Sequence, residues 1–164
     1  MSDDLDLGVL AGSFAEMLDT EWPREKAVAY ARADNLYAEG LWQQMAALGW
    51  TALTVPEDHG GLGLDSAAVA ALHGALGAAA APVPMLGTTL AIELLVRAGS
   101  PAQQAELLPG LADGTLRAAV AQPDDAVDAP QLGQFGLAQD RAVVDGGHHT
   151  GVDAYPLASG FQPQ

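Results

Sequence analysis

The 164 residues, 49% of them hydrophobic and none of them cysteine, suffice for one domain with its own core and exclude general disorder, disulfides, thiolate metal sites and a cysteine nucleophile. Six basic residues against 21 acidic ones leave a net charge of −15, which argues against nucleic acid and anionic membranes, since both demand a clustered positive face. No apolar run reaches the length of a membrane span, and Asp3, Asp4 and Asp6 stand where a secretory leader would carry basic residues, so the chain reads as soluble and cytoplasmic.

Leu7, Leu10, Phe14, Met17 and Leu18 recur at steps of three and four, which predicts a helix from Asp3 to Leu18 laid on a core, with its acidic first turn at the positive end of the dipole. Pro23 sits where a helix tolerates it, and the alanine-rich run Arg24 to Asp34 continues helically toward Leu36 and Tyr37. Arg24, Lys26 and Arg32 form the only basic group. After a break at Gly40, Leu41, Trp42, Met45 and Leu48 define an amphipathic helix that stops at Gly49, where glycine takes the left-handed conformation without steric cost. A buried segment, Trp50 to Val55, follows, and both Trp42 and Trp50 are expected in the core. Pro56 breaks the chain, Glu57, Asp58 and His59 lead into the Gly60-Gly61 turn, and Leu62 and Leu64 are expected to return to the core.

Asp65 or Ser66 can cap a helix through Ala67, Val69, Ala70, Leu72, Leu76 and Ala79. His73 lies within it with no partner at metal-ligand spacing, and is given no role. Pro82 and Pro84 end that helix. Leu86 to Ala98 forms another, whose Leu86, Leu90, Ile92, Leu94, Leu95 and Val96 leave almost no polar face, so it should be buried. Gly99 closes it, and Ser100-Pro101 caps and opens a helix over Ala102 to Leu111. Beyond Gly114 the texture changes: Leu116 to Ala121 has the marks of a strand, and from Val127 the chain reads as loop until Ala142 to Val144. Asp145, Gly146 and Gly147 form a turn. His148 and His149, adjacent on an extended chain, point to opposite faces with no third ligand, so no metal site is predicted there. Leu157 to Gln164 reads as a frayed end.

Four pieces of the middle stretch stand in register: Leu41-Trp42, Leu48-Gly49-Trp50, Val55-Pro56-Glu57 and Gly60-Gly61-Leu62-Gly63-Leu64. This series resembles the N-terminal helical domain of the acyl-CoA dehydrogenase family, as do Gly99, Ser100 and Gln103 followed by Leu108-Pro109. The resemblance runs from about Trp42 to Pro123 and weakens beyond; Thr150-Gly151 matches a later strand motif in which His149 replaces a leucine. It implies a mainly α fold, a helical bundle over residues 1–115, with a short β-rich tail over 116–164 as the incomplete start of a β-domain.

The resemblance also implies a function. In the family, FAD lies between a middle β-domain and a C-terminal helical bundle, and a glutamate of that bundle abstracts the proton alpha to the acyl-CoA thioester while hydride passes to the flavin. That glutamate would lie beyond Gln164, so no catalytic residue is assigned. A loop at Val120, Ala121 and Gln122, before Pro123, matches the one that meets the flavin, but alanine stands where the family has threonine and glutamine where it has glutamate, leaving the backbone for contact. Val83, Leu86 and Leu90 match the wall of the acyl tunnel. The chain is therefore expected to be the N-terminal portion of an acyl-CoA dehydrogenase-like flavoprotein that contributes tunnel wall and contacts within a homo- or hetero-oligomer, binding FAD weakly or not at all alone. A non-catalytic helical partner subunit is the other reading.

Overall fold

The computed structural model of the chain describes residues 6–33 and 37–121, with further strands at 136–139 and 153–156. Among the described residues, six helices precede a small antiparallel sheet. The helices are α1 (Leu7–Glu21), α2 (Arg24–Arg32), α3 (Glu39–Ala47), α4 (Ser66–Ala78), α5 (Met85–Ala98) and α6 (Pro101–Ala112). The strands β1 (Ala118–Ala121), β2 (Gly136–Gln139) and β3 (Asp153–Pro156) lie in the order β1-β2-β3. This is the mainly helical bundle with a β-rich tail that the sequence predicts.

The helix ends follow local chemistry. Asp6 caps α1 through its carboxylate, which accepts from the Gly8 and Val9 N–H groups at 2.9 and 3.3 Å. The expected earlier start, with Asp3 and Asp4, lies outside the described residues, and Leu7 at the helix start is exposed. Asp65 caps α4, and Ser100 with Gln103 closes a reciprocal capping box on α6. Gln104 then donates to the Gly99 carbonyl at 3.1 Å and, at 2.9 Å, to the Leu95 carbonyl, which also accepts from the Gly99 N–H. The Gly-Ser-x-x-Gln pattern is thus a joint between α5 and α6.

Two apolar clusters make the core. The first gathers Phe14, Leu18, Trp42, Met45, Leu72 and Leu76 from α1, α3 and α4; the second gathers Ile92, Leu95, Leu107, Leu108 and Leu111 from α5 and α6. The segment after α3 feeds both: Trp50 and Leu53 enter the first cluster, Ala52 and Val55 the second. Trp50 meets Phe14 edge-on at 4.7 Å, and buried Thr51 donates to the Ala112 carbonyl at 2.6 Å. The glycine-rich motif folds back on this segment, with the Leu62, Gly63 and Leu64 amides donating to Ala52, Val55 and Leu53 at 2.7–2.9 Å. A β-carbon on Gly61 would stand 1.8 Å from the Val55 carbonyl oxygen, so the return path exists only for glycine.

Four expectations are corrected. Leu48 and Leu62 are exposed rather than core, because the turn at Gly49, with φ 77°, and the return at Gly63, with φ 59°, carry their side chains outward. Helix α5 is not buried all round, since Leu86, Leu90 and Val96 are exposed. Finally, β2 lies inside the stretch read as loop: Gly-Leu-Ala-Gln has little intrinsic strand signal, and its pairing with β1, Ala121 opposite Gly136 and Ala118 opposite Gln139, supplies what the local sequence lacks. Asp34, Leu36, the residues Ala142 to Val144, the turn at Asp145 to Gly147, the pair His148 and His149, Thr150-Gly151 and the tail from Leu157 lie outside the described residues.

Candidate functional site

The connection from α4 to α5 builds a cleft. Helix α4 ends with the Ala81 N–H donating to the Leu76 carbonyl at 3.0 Å and the Ala80 N–H to Gly77 at 3.1 Å, the paired bonds of a Schellman turn. That turn puts its central residue in the left-handed region, and here the residue is Ala80, at φ 47°, rather than the usual glycine. The Pro82 carbonyl accepts from the buried Ala38 amide at 2.9 Å, which anchors the connection to the start of α3. The chain then turns through Val83 and Pro84 into α5. A cleft of about 250 Å³ remains between the two helices, with His73, Gly77, Ala80, Val83, Met85 and Leu86 among its walls.

Of the residues expected to line an acyl wall, Val83 and Leu86 come together here. Leu90 does not reach the cleft but continues the same face one turn along α5. Met85, Thr88, Ala91, Ile92 and Leu95 turn inward, whereas Leu86 and Leu90 are 61% and 49% exposed. No Asp, Glu, Lys or Arg lines the cleft. Three of the described cations are engaged elsewhere: Lys26 lies over the Trp22 ring at 5.3 Å, Arg117 over Tyr37 at 5.1 Å, and Arg97 pairs with Glu93 on the surface at 2.9 Å.

Beside the Leu86–Leu90 face, α5 holds the first strand. A β-carbon on Gly87 would lie 2.8 Å from the Ala118 carbonyl oxygen, so glycine permits the close approach. The Thr88 hydroxyl, wholly buried, accepts from the Ala118 N–H at 3.3 Å and donates to the Pro84 carbonyl at 3.0 Å. Strand residues two apart direct their backbone groups to the same edge, so Val120 presents its N–H and C=O on the edge where Ala118 meets Thr88. Ala121 follows at the strand end; Gln122 and Pro123 lie outside the described residues.

His73, which the sequence leaves without a role, sits on the cleft wall. Its Nδ1 lies 2.9 Å from the Val69 carbonyl oxygen, one turn back. Its Nε2 is closed off from solvent and has no hydrogen-bond partner. A missing partner leaves no trace in a linear pattern, so sequence reasoning had no signal for it. Among the described residues no group of three or more His, Asp or Glu side chains is placed to hold a metal ion, and no helix is long and apolar enough to cross a membrane.

Residues 9–115 match the N-terminal domain family of the acyl-CoA dehydrogenases. The chain belongs to this family. It is 41% identical over 99 residues to the acyl-CoA dehydrogenase IpdE2 of Mycobacterium tuberculosis, covering 58% of this chain and 30% of that protein. It is 31% identical over 146 residues to the (2S)-methylsuccinyl-CoA dehydrogenase of Cereibacter sphaeroides, covering 87% of this chain and 26% of the relative. In structure it resembles the Tcur3481-Tcur3483 steroid ACAD in its G363A variant, with a TM-score of 0.66 at 27% identity, over 81% of this chain and 39% of that one. A TM-score of 0.67 at 23% identity relates its fold to the ChsE4-ChsE5 complex of Mycobacterium tuberculosis, over 84% of this chain and 39% of that one. The chain thus spans well under half the length of each of these relatives.

Seen as an acyl-CoA dehydrogenase domain, the register of motifs acquires physical content. Leu41, Trp42 and Trp50 of the Leu-Trp and Leu-Gly-Trp pieces are core anchors, and the Gly-Gly-Leu-Gly-Leu piece supplies the loop that closes over Ala52 to Val55. Toward a flavin, the described part of Val120 to Gln122 contributes a backbone edge and, at Ala121, a residue type with no side-chain donor. These residues suit the rim of a flavin site and do not by themselves enclose one.

Proposed function

We propose that this chain serves as the N-terminal part of an acyl-CoA dehydrogenase-like flavoprotein that carries out α,β-dehydrogenation of acyl-CoA thioesters. Residues 1–115 form its helical domain and 116–164 open a β-domain. Val83, Leu86 and Leu90 supply apolar wall for the acyl group. Val120, Ala121 and Gln122 meet the flavin through their backbone. FAD, when bound, supplies the hydride acceptor; the residues of this chain bind and orient the acyl group and exclude water from it.

The observation that carries this reading is the exposure of Leu86 and Leu90, 61% and 49%, on a helix with no charged residue before Glu93. An apolar face of this kind on a chain of net charge −15 is suited to burial against an acyl chain or further protein. The chemistry follows the named relatives, an acyl-CoA dehydrogenase and a dehydrogenase of (2S)-methylsuccinyl-CoA. The paired name of the Tcur3481-Tcur3483 steroid ACAD supports a hetero-oligomeric assembly.

The test is a Leu86→Asp/Leu90→Asp double variant, mixed with a polypeptide carrying the remaining domains of such an enzyme. Both sites are exposed, so each change should alter the stability of this chain by no more than about 0.5 kcal/mol. Flavin incorporation and acyl-CoA oxidation in the mixture should be lost. A double variant that assembles and turns over like the parent would refute the reading.

A further inference from the structure

Strand β1 reads Ala-Ala-Val-Ala, and three methyl groups and one valine give it little side-chain area with which to fix its place on the helices. Its position is set through backbone groups. On one edge β1 pairs with β2, and it also meets α5, where Gly87 and Thr88 divide the task. Gly87 sets how near the strand comes: a β-carbon there would stand 2.8 Å from the Ala118 carbonyl oxygen and 3.4 Å from the Ala119 Cα, so a side chain would drive β1 outward. Thr88 sets where along the helix it rests.

The contact is buried, with Thr88 at 0% and Ala118 at 7% exposure, so the hydroxyl that accepts from the Ala118 N–H at 3.3 Å has no ready substitute in solvent. That hydroxyl also has a proton to place. It lies 3.0 Å from the Pro84 carbonyl oxygen and 3.5 Å from that of Ala118, and the shorter contact takes the proton. Bonding back to the carbonyl four residues earlier is ordinary for threonine in a helix, but the accepting contact reaches a strand 30 residues on. Serine could make both bonds; valine, of the same shape, could make neither.

We infer that Thr88 is a positioning residue for the flavin-facing end of β1: its hydroxyl, with Gly87 beside it, fixes the separation between the apolar face of α5 and the backbone of Val120 and Ala121. The inference rests on the proposed flavin contact of Val120 to Gln122 and deepens it. Val120 stands two residues past Ala118, about 7 Å along the strand, and residues two apart share an edge, so a displacement at Ala118 is carried to it. A hydrogen bond spans only about 0.5 Å of donor–acceptor distance, so a small displacement decides whether a backbone contact is made. Leu86 and Leu90, two residues to either side, are exposed while Thr88 is buried, so one stretch of α5 carries both the apolar wall and the strand anchor.

Amide exchange followed by NMR on the full chain tests the anchor, and FAD uptake tests its purpose. Thr88→Val should speed exchange of the Ala118 N–H about three- to tenfold, the range of one net hydrogen bond, and Thr88→Ser should keep the parent's rate. Mixed with a polypeptide carrying the remaining domains of such an enzyme, the parent and Thr88→Ser should take up FAD with the same visible absorption spectrum, whereas Thr88→Val should bind it about three- to tenfold more weakly and with a displaced band. Phe14→Leu, which weakens the first cluster rather than β1, should lower stability and leave the flavin spectrum unchanged; a displaced band there too would reduce the effect to general instability and overturn the inference. Should Thr88→Val not fold, Gly87→Ala, which keeps the hydroxyl and presses on the Ala118 carbonyl, should produce the same flavin changes. An unaltered Ala118 exchange rate in Thr88→Val, or a flavin spectrum that these changes at 87 and 88 leave untouched, would overturn the positioning role while the flavoprotein reading stands. A parent mixture that takes up no FAD would overturn that reading and the inference with it.

Discussion

Trp42 is the residue whose removal tests the architecture most directly. It is 1% exposed in the first cluster, and its indole N–H donates to the Gly114 carbonyl at 2.9 Å, tying α3 to the turn before β1 across 72 residues of chain. Trp42→Ala removes a large core side chain, a change worth about 3–5 kcal/mol, and strips a partner from the Gly114 carbonyl, worth about 1 kcal/mol more. The sum, about 4–6 kcal/mol, approaches the whole stability of about 5–15 kcal/mol expected for a domain. Trp42→Phe keeps most of the apolar body and loses the N–H, which should cost about 1–3 kcal/mol.

Urea unfolding followed by far-ultraviolet circular dichroism separates the two variants, since a helical signal is unaffected by losing a fluorophore. With a slope of about 2 kcal/mol per molar, Trp42→Phe should lower the midpoint by about 0.5–1.5 M, and Trp42→Ala should leave little folded protein. Gly114 provides a cross-check from the other side of the contact: its φ is 74°, and a β-carbon there would stand 2.5 Å from that of Ala46, so Gly114→Ala should also destabilise. A Trp42→Phe midpoint equal to the parent's, together with a folded Trp42→Ala, would refute the packing of α3 against the β1 turn.

Gly61→Ala should cost about 3 kcal/mol or more, because the added methyl collides with the Val55 carbonyl rather than with a flexible side chain; a melting temperature within a degree or two of the parent would contradict the loop geometry. Ala80→Gly should stabilise by about 0.5–1 kcal/mol, as the left-handed penalty of about 1–2 kcal/mol is relieved and partly offset by the entropy of glycine in the unfolded chain. Calorimetry would show this as a rise of a few degrees, and a fall would mean that Ala80 is not strained. The purified chain alone should be colourless in its absorption spectrum, whereas a yellow protein retaining stoichiometric flavin would show that residues within it enclose the cofactor after all.

The sequence by itself determined several of the points where helices begin and end. Asp65 and Ser100 cap helices because short polar side chains reach the free amides of a first turn, and Gly49 ends one at φ 77° because it lacks a β-carbon. It also placed Trp42 and Trp50 in the core. These are local properties, written in residue type and spacing. Which apolar side chains face inward is not local. Helix α5 has no polar stripe to orient it, so its rotation is set by the closeness of Gly87 to Ala118 and by the buried Thr88 hydroxyl, contacts made across 30 residues, and these leave Leu86 and Leu90 outward. Strand β2 likewise exists through its pairing with β1 rather than through its own residues. The surroundings of His73 belong to the same class: the contact with Val69 is a matter of helical spacing, but the burial of Nε2 without a partner depends on what the chain brings around it, and only the tertiary structure decides that.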